Sequence, residues 1–337
     1  MRIIDTLAAA KLAQPSLVTV GSYDGIHIGH RRLLGQMRRT ARQLRCAAVV
    51  VTFHPRPQAV LSPHKLTLDL ITPDEKADLL AQLGMDLTVM LRFGHELAHI
   101  SAAQFATDLV THLHMREMWI GMGFSLGRNR EGDVPTLRRL GEEMGFVVRV
   151  VDPVICDGSM VSSTRIRHLL MDGRIRQVTT LLGRYASLSG EVVHGAKRGR
   201  RIGFPTANIA VPPQLVLPPN GVYACFVCVG GQRRPAVTNI GIRPTFTNPE
   251  RTVEAHLLDF NDDLYGQTLR LEIVEFLRPE TRFDTVAGLV AQISADAETA
   301  RRLLSQEQAG SPCSGMTLRV PGLSPACDPS PEPADEP

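Results

Sequence analysis

The feature that most limits how this chain can fold is a change of grammar near Gly183. From Leu17 to that glycine, short apolar runs alternate with helical stretches, whereas from Leu188 to Phe276 no helical period appears. In the first part strands are predicted over 17–21, 47–53, 87–93, 118–121 and 147–154. Helices are predicted over 29–44, 74–83, 101–113 and 134–145, then two short ones split at Gly173. Ser101, with Gln104 three residues on, gives one helix start a capping box. Strict alternation implies a parallel sheet covered by helices on both faces, with ligands beyond the carboxyl ends of the strands. In the second part, β-branched and aromatic runs punctuated by Gly, Pro and Asn read as a small antiparallel barrel. A helix over 285–304 closes it. The expected organisation is an α/β domain over 1–185, a β-barrel domain over 186–306, and a disordered tail over 307–337, where apolar groups are too few to fold.

Composition narrows the class. A chain of 337 residues exceeds one compact core, and 43% hydrophobic with 21% charged residues excludes a wholly disordered chain. Lysine and arginine (37) barely outnumber aspartate and glutamate (34), a net charge of +3 that argues against a nucleic-acid partner. The six cysteines are scattered. Cys225 and Cys228 lie in VYACFVCV, a buried strand that sends them to opposite faces, so no metal pair is expected there. No run reaches membrane-spanning length and the opening residues lack a signal-length apolar stretch. The expected setting is cytoplasmic, with no membrane partner.

Two loops carry phosphate chemistry. Gly21-Ser22-Tyr23-Asp24-Gly25-Ile26-His27-Ile28-Gly29-His30 follows the first strand and opens the first helix. Gly21 and Gly29 let backbone approach a triphosphate at a helix amino terminus, with Asp24 between them. His27 and His30 can donate to charge building on an α-phosphate. After the last strand, Ser163, Thr164 and Arg167 of Val161-Ser162-Ser163-Thr164-Arg165-Ile166-Arg167 form a second anion site at a helix start. An isolated HxGH is as often a cap with two surface histidines; the second element favours the phosphate reading.

The other loop, His194 to Asn208, joins two predicted barrel strands. Gly195, Gly199 and Gly203 free the backbone to wrap phosphates, and Lys197 supplies positive charge. Thr206 and Asn208 present two oxygens on one face, which suits Mg²⁺. Further on, a strand through Val253-Glu254-Ala255-His256-Leu257-Leu258 puts Glu254, His256 and Leu258 on one face, with a carboxylate placed to take a proton from a hydroxyl.

YDGIHIGH, SSTRIR, LLGR, HGAKRGRRIGFPTAN, NIGIRPTF and VEAHLLDFNDDLYG occur in this order, and from about residue 15 to 305 the chain resembles the prokaryotic bifunctional riboflavin kinase / FAD synthetase family. The resemblance implies a Rossmann-like nucleotidyltransferase domain that moves AMP from ATP to FMN, followed by a Greek-key barrel that phosphorylates riboflavin. It implies Mg²⁺ and nucleotide on Thr206 and Asn208, Glu254 as catalytic base, and ATP phosphates on His27, His30, Ser163, Thr164 and Arg167. Arg56, Phe124, His256 and Leu258 are the flavin-contact candidates. Riboflavin, FMN and ATP are the small-molecule partners, with flavoproteins as acceptors of the products.

Departures fall in the first half. Tyr23 stands where the family usually has Phe, Arg56 replaces a histidine, and Gly123 takes the place of an acidic or amide residue. Losing one transition-state donor costs about 10²–10³ in rate, so a monofunctional riboflavin kinase with a degenerate adenylyltransferase domain, acting as scaffold or flavin sensor, stays open. A non-catalytic nucleotide- or RNA-binding protein is the third reading. His95-Glu96-Leu97-Ala98-His99 matches HExxH, but it precedes a helix capped at Ser101 and lacks a third ligand, which disfavours zinc proteolysis.

Overall fold

The computed structural model describes residues 1–62, 64, 67–195, 198–243 and 250–307. Backbone contacts divide them into two units: Met1–Thr67 with Pro73–Ser163, and Leu68–Thr72 with 164–307.

The first unit contains β1 (Arg2–Ile4), β2 (Ser16–Val20), α1 (Ile28–Gln43), β3 (Ala47–His54), α2 (Pro57–Leu61), α3 (Pro73–Gln82), β4 (Leu87–Arg92) and α4 (His95–Ala98). It continues through α5 (Ala102–Leu113), β5 (Met115–Gly121), α6 (Val134–Met144), β6 (Val147–Val151) and a short hairpin, β7 (Ile155–Cys156) and β8 (Ser159–Met160). The sheet order is β1-β4-β3-β2-β5-β6, every pair parallel. Chain order reverses between β2 and β5, so the loop after β2 opens into the crevice where doubly wound sheets bind ligands. Central β2 is buried throughout while edge β6 alternates, as solvent on one side dictates. Val18, Val20, Val49, Val51, Met118 and Ile120 form the core with Phe105 and Leu109 of α5.

Local signals set the helix ends. Ser101 Oγ accepts from Gln104 N (3.1 Å), but the Gln104 amide turns to Asp108 (2.9 Å), so only half of the expected capping box forms. Asp133 caps α6 by accepting from Thr136 N (3.0 Å), and Gly145 ends it with φ 82. Sequence periodicity missed β1, the first residues of β5 and the β7–β8 hairpin, all short pieces whose pairing is tertiary.

The second unit holds α7 (Ser163–Met171, which opens at the boundary), α8 (Ile175–Leu182), β9 (Ala186–Val193), α9 (Arg198–Arg201), β10 (Ala207–Ala210), β11 (Gly221–Val229), β12 (Gln232–Arg243), β13 (Glu250–Leu257), β14 (Thr268–Arg278) and α10 (Val286–Ser305). The strands close an antiparallel barrel in the order β10-β13-β12-β11-β14-β9. The boundary falls at Ser163, earlier than the expected 185, because α8 packs on β9 and β14. Leu68–Thr72 joins the barrel unit through Asp69 N to Gln214 O (2.7 Å) and Val216 N to Asp69 O (2.9 Å).

α10 packs against β11, β12 and β14 of the barrel. Ala297, Ala300 and Leu304 pack on Tyr185, Val222 and Phe226. Arg278 holds the helix to β14 through both oxygens of Asp296 (Nε to Oδ1 3.0 Å, Nη2 to Oδ2 2.8 Å). Cys225 is a buried free thiol, pushed up to about 12 by desolvation. Among the described residues no helix is long and apolar enough to cross a membrane. The tail from residue 308 onward lies outside the described residues.

Candidate active sites

The loop after β2 is shaped by unusual backbone. Tyr23 (φ 45), Gly25 (φ 81) and Ile26 (φ 39) all sit in the left-handed region, where non-glycine residues cost on the order of 1–3 kcal/mol each. The surroundings hold that conformation. Ile26 is buried, the Tyr23 hydroxyl shares a very short hydrogen bond with Thr19 Oγ1, and Ser163 Oγ donates to Asp24 O (2.7 Å). Burial pushes the Tyr23 phenol up, so it stays protonated.

His27 caps α1: its Nδ1 accepts from His30 N (3.3 Å), which places the remaining ring proton on Nε2. Gly29 leaves room for that ring, since a β-carbon there would stand 3.2 Å from His27 Cε1. The two imidazoles stack at 3.7 Å between centroids, and Tyr23 leans on His30 at 5.0 Å. His30 Nδ1 is sealed from solvent and meets no hydrogen-bond partner among the described residues. Desolvation first, then His27 and Lys76, drive His30 well below the usual histidine range. It is therefore neutral at pH 7. Gly21 donates to Val51 O (3.0 Å), tying the start of the loop to β3. Ser163 opens α7; on that helix Arg167 Nη2 donates to Thr164 Oγ1 (3.2 Å).

Beside this loop lies an apolar cavity of about 440 Å³, lined by Phe53, Phe93, Phe105, Phe124, Arg128 and Arg130 among others. Phe53 and Phe93 meet edge to face at 5.6 Å. Arg56 is not among its lining residues. It is buried, with Nη1 3.6 Å from Asp24 Oδ2, so its charge faces the loop. The HELAH run forms a single turn in which His99 Nδ1 meets the His95 carbonyl oxygen (2.6 Å).

In the barrel, Asn208 on β10 pairs directly with Glu254 on β13, and Glu254 pairs with Asn239 on β12. Residues opposite one another on a ladder present their side chains to the same face, with β-carbons about 4.5–5.5 Å apart. Thr206, two residues before Asn208, and Asn208 itself line a cavity of about 410 Å³, together with Gly195, Asp262, Asp263 and Tyr265. A β-carbon at Gly195 would overlap the Asn208 amide, and one at Gly199 would overlap the Phe204 carbonyl, so both glycines permit close approach of backbone. Gly203 (φ 88) makes the turn that aims Thr206. Lys197 lies outside the described residues.

His256 is turned toward the loop: its Nδ1 meets Pro205 O at 2.8 Å and its ring packs on Phe204 at 5.3 Å. Leu258 was expected beside Glu254 and His256 on one face. β13 ends at Leu257, and Leu258 turns into the core against α10, where it is 2% exposed, so it does not share a strand face with Glu254 and His256.

Two family models match the chain in the same order as these sites: FAD synthetase over residues 9–165 and riboflavin kinase over 182–304. A bifunctional riboflavin kinase/FMN adenylyltransferase from Escherichia coli K12 is 38% identical over 287 residues, covering 85% of this chain and 91% of its own length. The chain belongs to that family. The corresponding Listeria monocytogenes protein is 33% identical over 292 residues, covering 86% of this chain and 93% of its own. A crystal structure from Streptococcus pneumoniae, reported as a macrolide-efflux protein, is 31% identical with a TM-score of 0.81, covering 89% of this chain and 98% of that one.

Motif reading did not single out several groups beside these candidate sites. The loop Asn261 to Tyr265 lines the barrel cavity, Arg128 and Arg130 line the aromatic one, and Lys76 donates to Ser22 O in the loop after β2. One signal for Lys76 was present: it sits in register with Leu79, Leu80 and Leu83, on what periodicity marks as the apolar face of α3.

Proposed function

We infer that the chain converts riboflavin to FMN in the barrel and FMN to FAD on the parallel sheet, each with ATP. The observation that carries the kinase half is that Asn208, which lines a cavity with Thr206, is the direct ladder partner of Glu254. In this reading the flavin hydroxyl oxygen attacks the γ-phosphorus, its proton passes to Glu254, and ADP leaves.

Mg²⁺ fits the donor set, since the Thr206 hydroxyl and the Asn208 carbonyl are hard oxygens and Asp262 and Asp263 stand at the same cavity. When bound it neutralises charge on the phosphates. Thr206 and Asn208 would hold it, and the missing side chain at Gly195 lets the Asn208 amide pack directly on the loop backbone.

On the sheet, a phosphate oxygen of FMN attacks the α-phosphorus of ATP and pyrophosphate leaves. His27 Nε2–H and His30 are placed to donate to charge that builds there, in a site short of water. The aromatic cavity with Phe124 suits a flat flavin ring, and Arg128 and Arg130 suit its phosphate. Ser163, whose Oγ donates to Asp24 O, completes the triphosphate site in this reading.

Two variants test the assignment. Glu254→Gln should abolish FMN formation from riboflavin and leave AMP transfer to added FMN intact, while His30→Ala should do the reverse. A folded variant that lost both activities would contradict two separate sites.

A further inference from the structure

Lys76 lies in the second turn of α3 and is 5% exposed. Its ammonium donates to Ser22 O (2.8 Å) and lies 3.4 Å from Thr52 Oγ1, which also donates to Ser22 O (3.2 Å). A lysine so buried is costly unless its charge is used, because desolvation penalises the charged form. Ser22 begins the strained stretch Tyr23–Ile26, so the carbonyl held by Lys76 is where that stretch is anchored to β3.

We propose that Lys76 is a positioning residue for adenylyl transfer: its ammonium fixes the Ser22 carbonyl and sets a positive charge behind the loop that meets the triphosphate. This rests on the reading that the loop from Gly21 to His30 receives ATP phosphates. Three ties then fix the loop from different sides: Lys76 to Ser22 O, Arg56 to the Asp24 carboxylate, and Ser163 to Asp24 O. The ammonium also biases the adjacent His30 toward its neutral form, after burial itself and His27. A neutral ring arranges hydrogen bonds for a phosphate without adding a mobile charge of its own. Motion of the loop by a fraction of an ångström would misplace both histidines at once.

The test uses the full chain with Lys76→Met, which keeps volume and removes charge, and Lys76→Arg, which keeps charge. Riboflavin phosphorylation and Tm on the same samples report folding. For Lys76→Met, kcat of FAD formation should fall ~10²-fold with a raised KM for ATP, an unchanged KM for FMN and an unchanged riboflavin phosphorylation rate. Lys76→Arg should recover part of the loss. Parental kinetics in Lys76→Met would overturn the proposal, and so would a loss that Lys76→Arg leaves untouched or that raises the FMN KM in step, since either marks a packing defect. Should Lys76→Met lower Tm, Thr52→Val provides the second arm, because it removes the neutral partner and leaves the ammonium. Its kcat should fall less than that of Lys76→Met, because the ammonium still holds Ser22 O, and a loss as large as that of Lys76→Met would contradict a role for the charge. If His30→Ala also left AMP transfer unchanged, the loop reading itself would fail. If His30→Ala abolished transfer and Lys76→Met did not, only the role of Lys76 would fall.

Discussion

At Gly123 the backbone has φ 78, and a β-carbon there would meet nothing within 4 Å. Asn and Asp enter this left-handed region most readily after glycine, so the departure from the family keeps the backbone and removes only the side chain. Gly123→Asn should therefore fold and raise the rate of FAD formation by ~10²-fold, the low side of what one transition-state donor is worth. Unchanged FAD formation in a folded variant would mean the missing group is already replaced. Loops that meet phosphate fix residue type and spacing together, which is how the sequence nominates His27, His30, Thr206 and Asn208, while a strand face nominates Glu254. The surroundings of Arg56 and Leu258 were not legible, since a partner far away in the chain decides them. Arg56 is claimed by Asp24, and Leu258 by the core under α10. Lys76 illustrates the opposite failure, in which a polar residue on an apolar face was passed over for want of a motif.

Elements were read best where a regular period and a cap coincide. α10 begins after Thr285, whose Oγ1 accepts from Gly288 N (3.1 Å), and its period continues to Ser305, close to the predicted 285–304. Strand pairing was less legible. Edge strand β1 is three residues long, and its place beside β4 follows from a parallel register, Arg2 opposite Leu87, that no local pattern encodes. At this scale the testable claim concerns the α10 anchor. Asp296 is 6% exposed and receives both arms of Arg278, so Asp296→Ala leaves a half-sheltered guanidinium without its partner. The barrel should lose roughly 3 kcal/mol of stability in denaturant unfolding, at the low end of what breaking a buried pair costs. Riboflavin phosphorylation should become heat-labile, while AMP transfer on the parallel sheet should persist to a higher temperature. Equal heat sensitivity of the two activities would contradict this.

For the whole molecule, the change of grammar near Gly183 correctly announced two architectures, yet the compact units divide at Ser163, because α8 packs on the barrel strands β9 and β14. In the proposed reading each unit carries its own phosphate-holding loop: Gly21 to His30 on the sheet, His194 to Asn208 on the barrel. The central claim is that these are two complete and separate ATP sites, joined only by the flavin that one makes and the other consumes. Its most direct measurement mixes two chains that each lack one half, Glu254→Gln and His30→Ala, and follows FAD formed from riboflavin and Mg-ATP. Neither variant alone should make FAD from riboflavin, and the mixture should, with FMN appearing first. A mixture of two folded variants that formed FMN but no FAD, or neither product, would contradict the account.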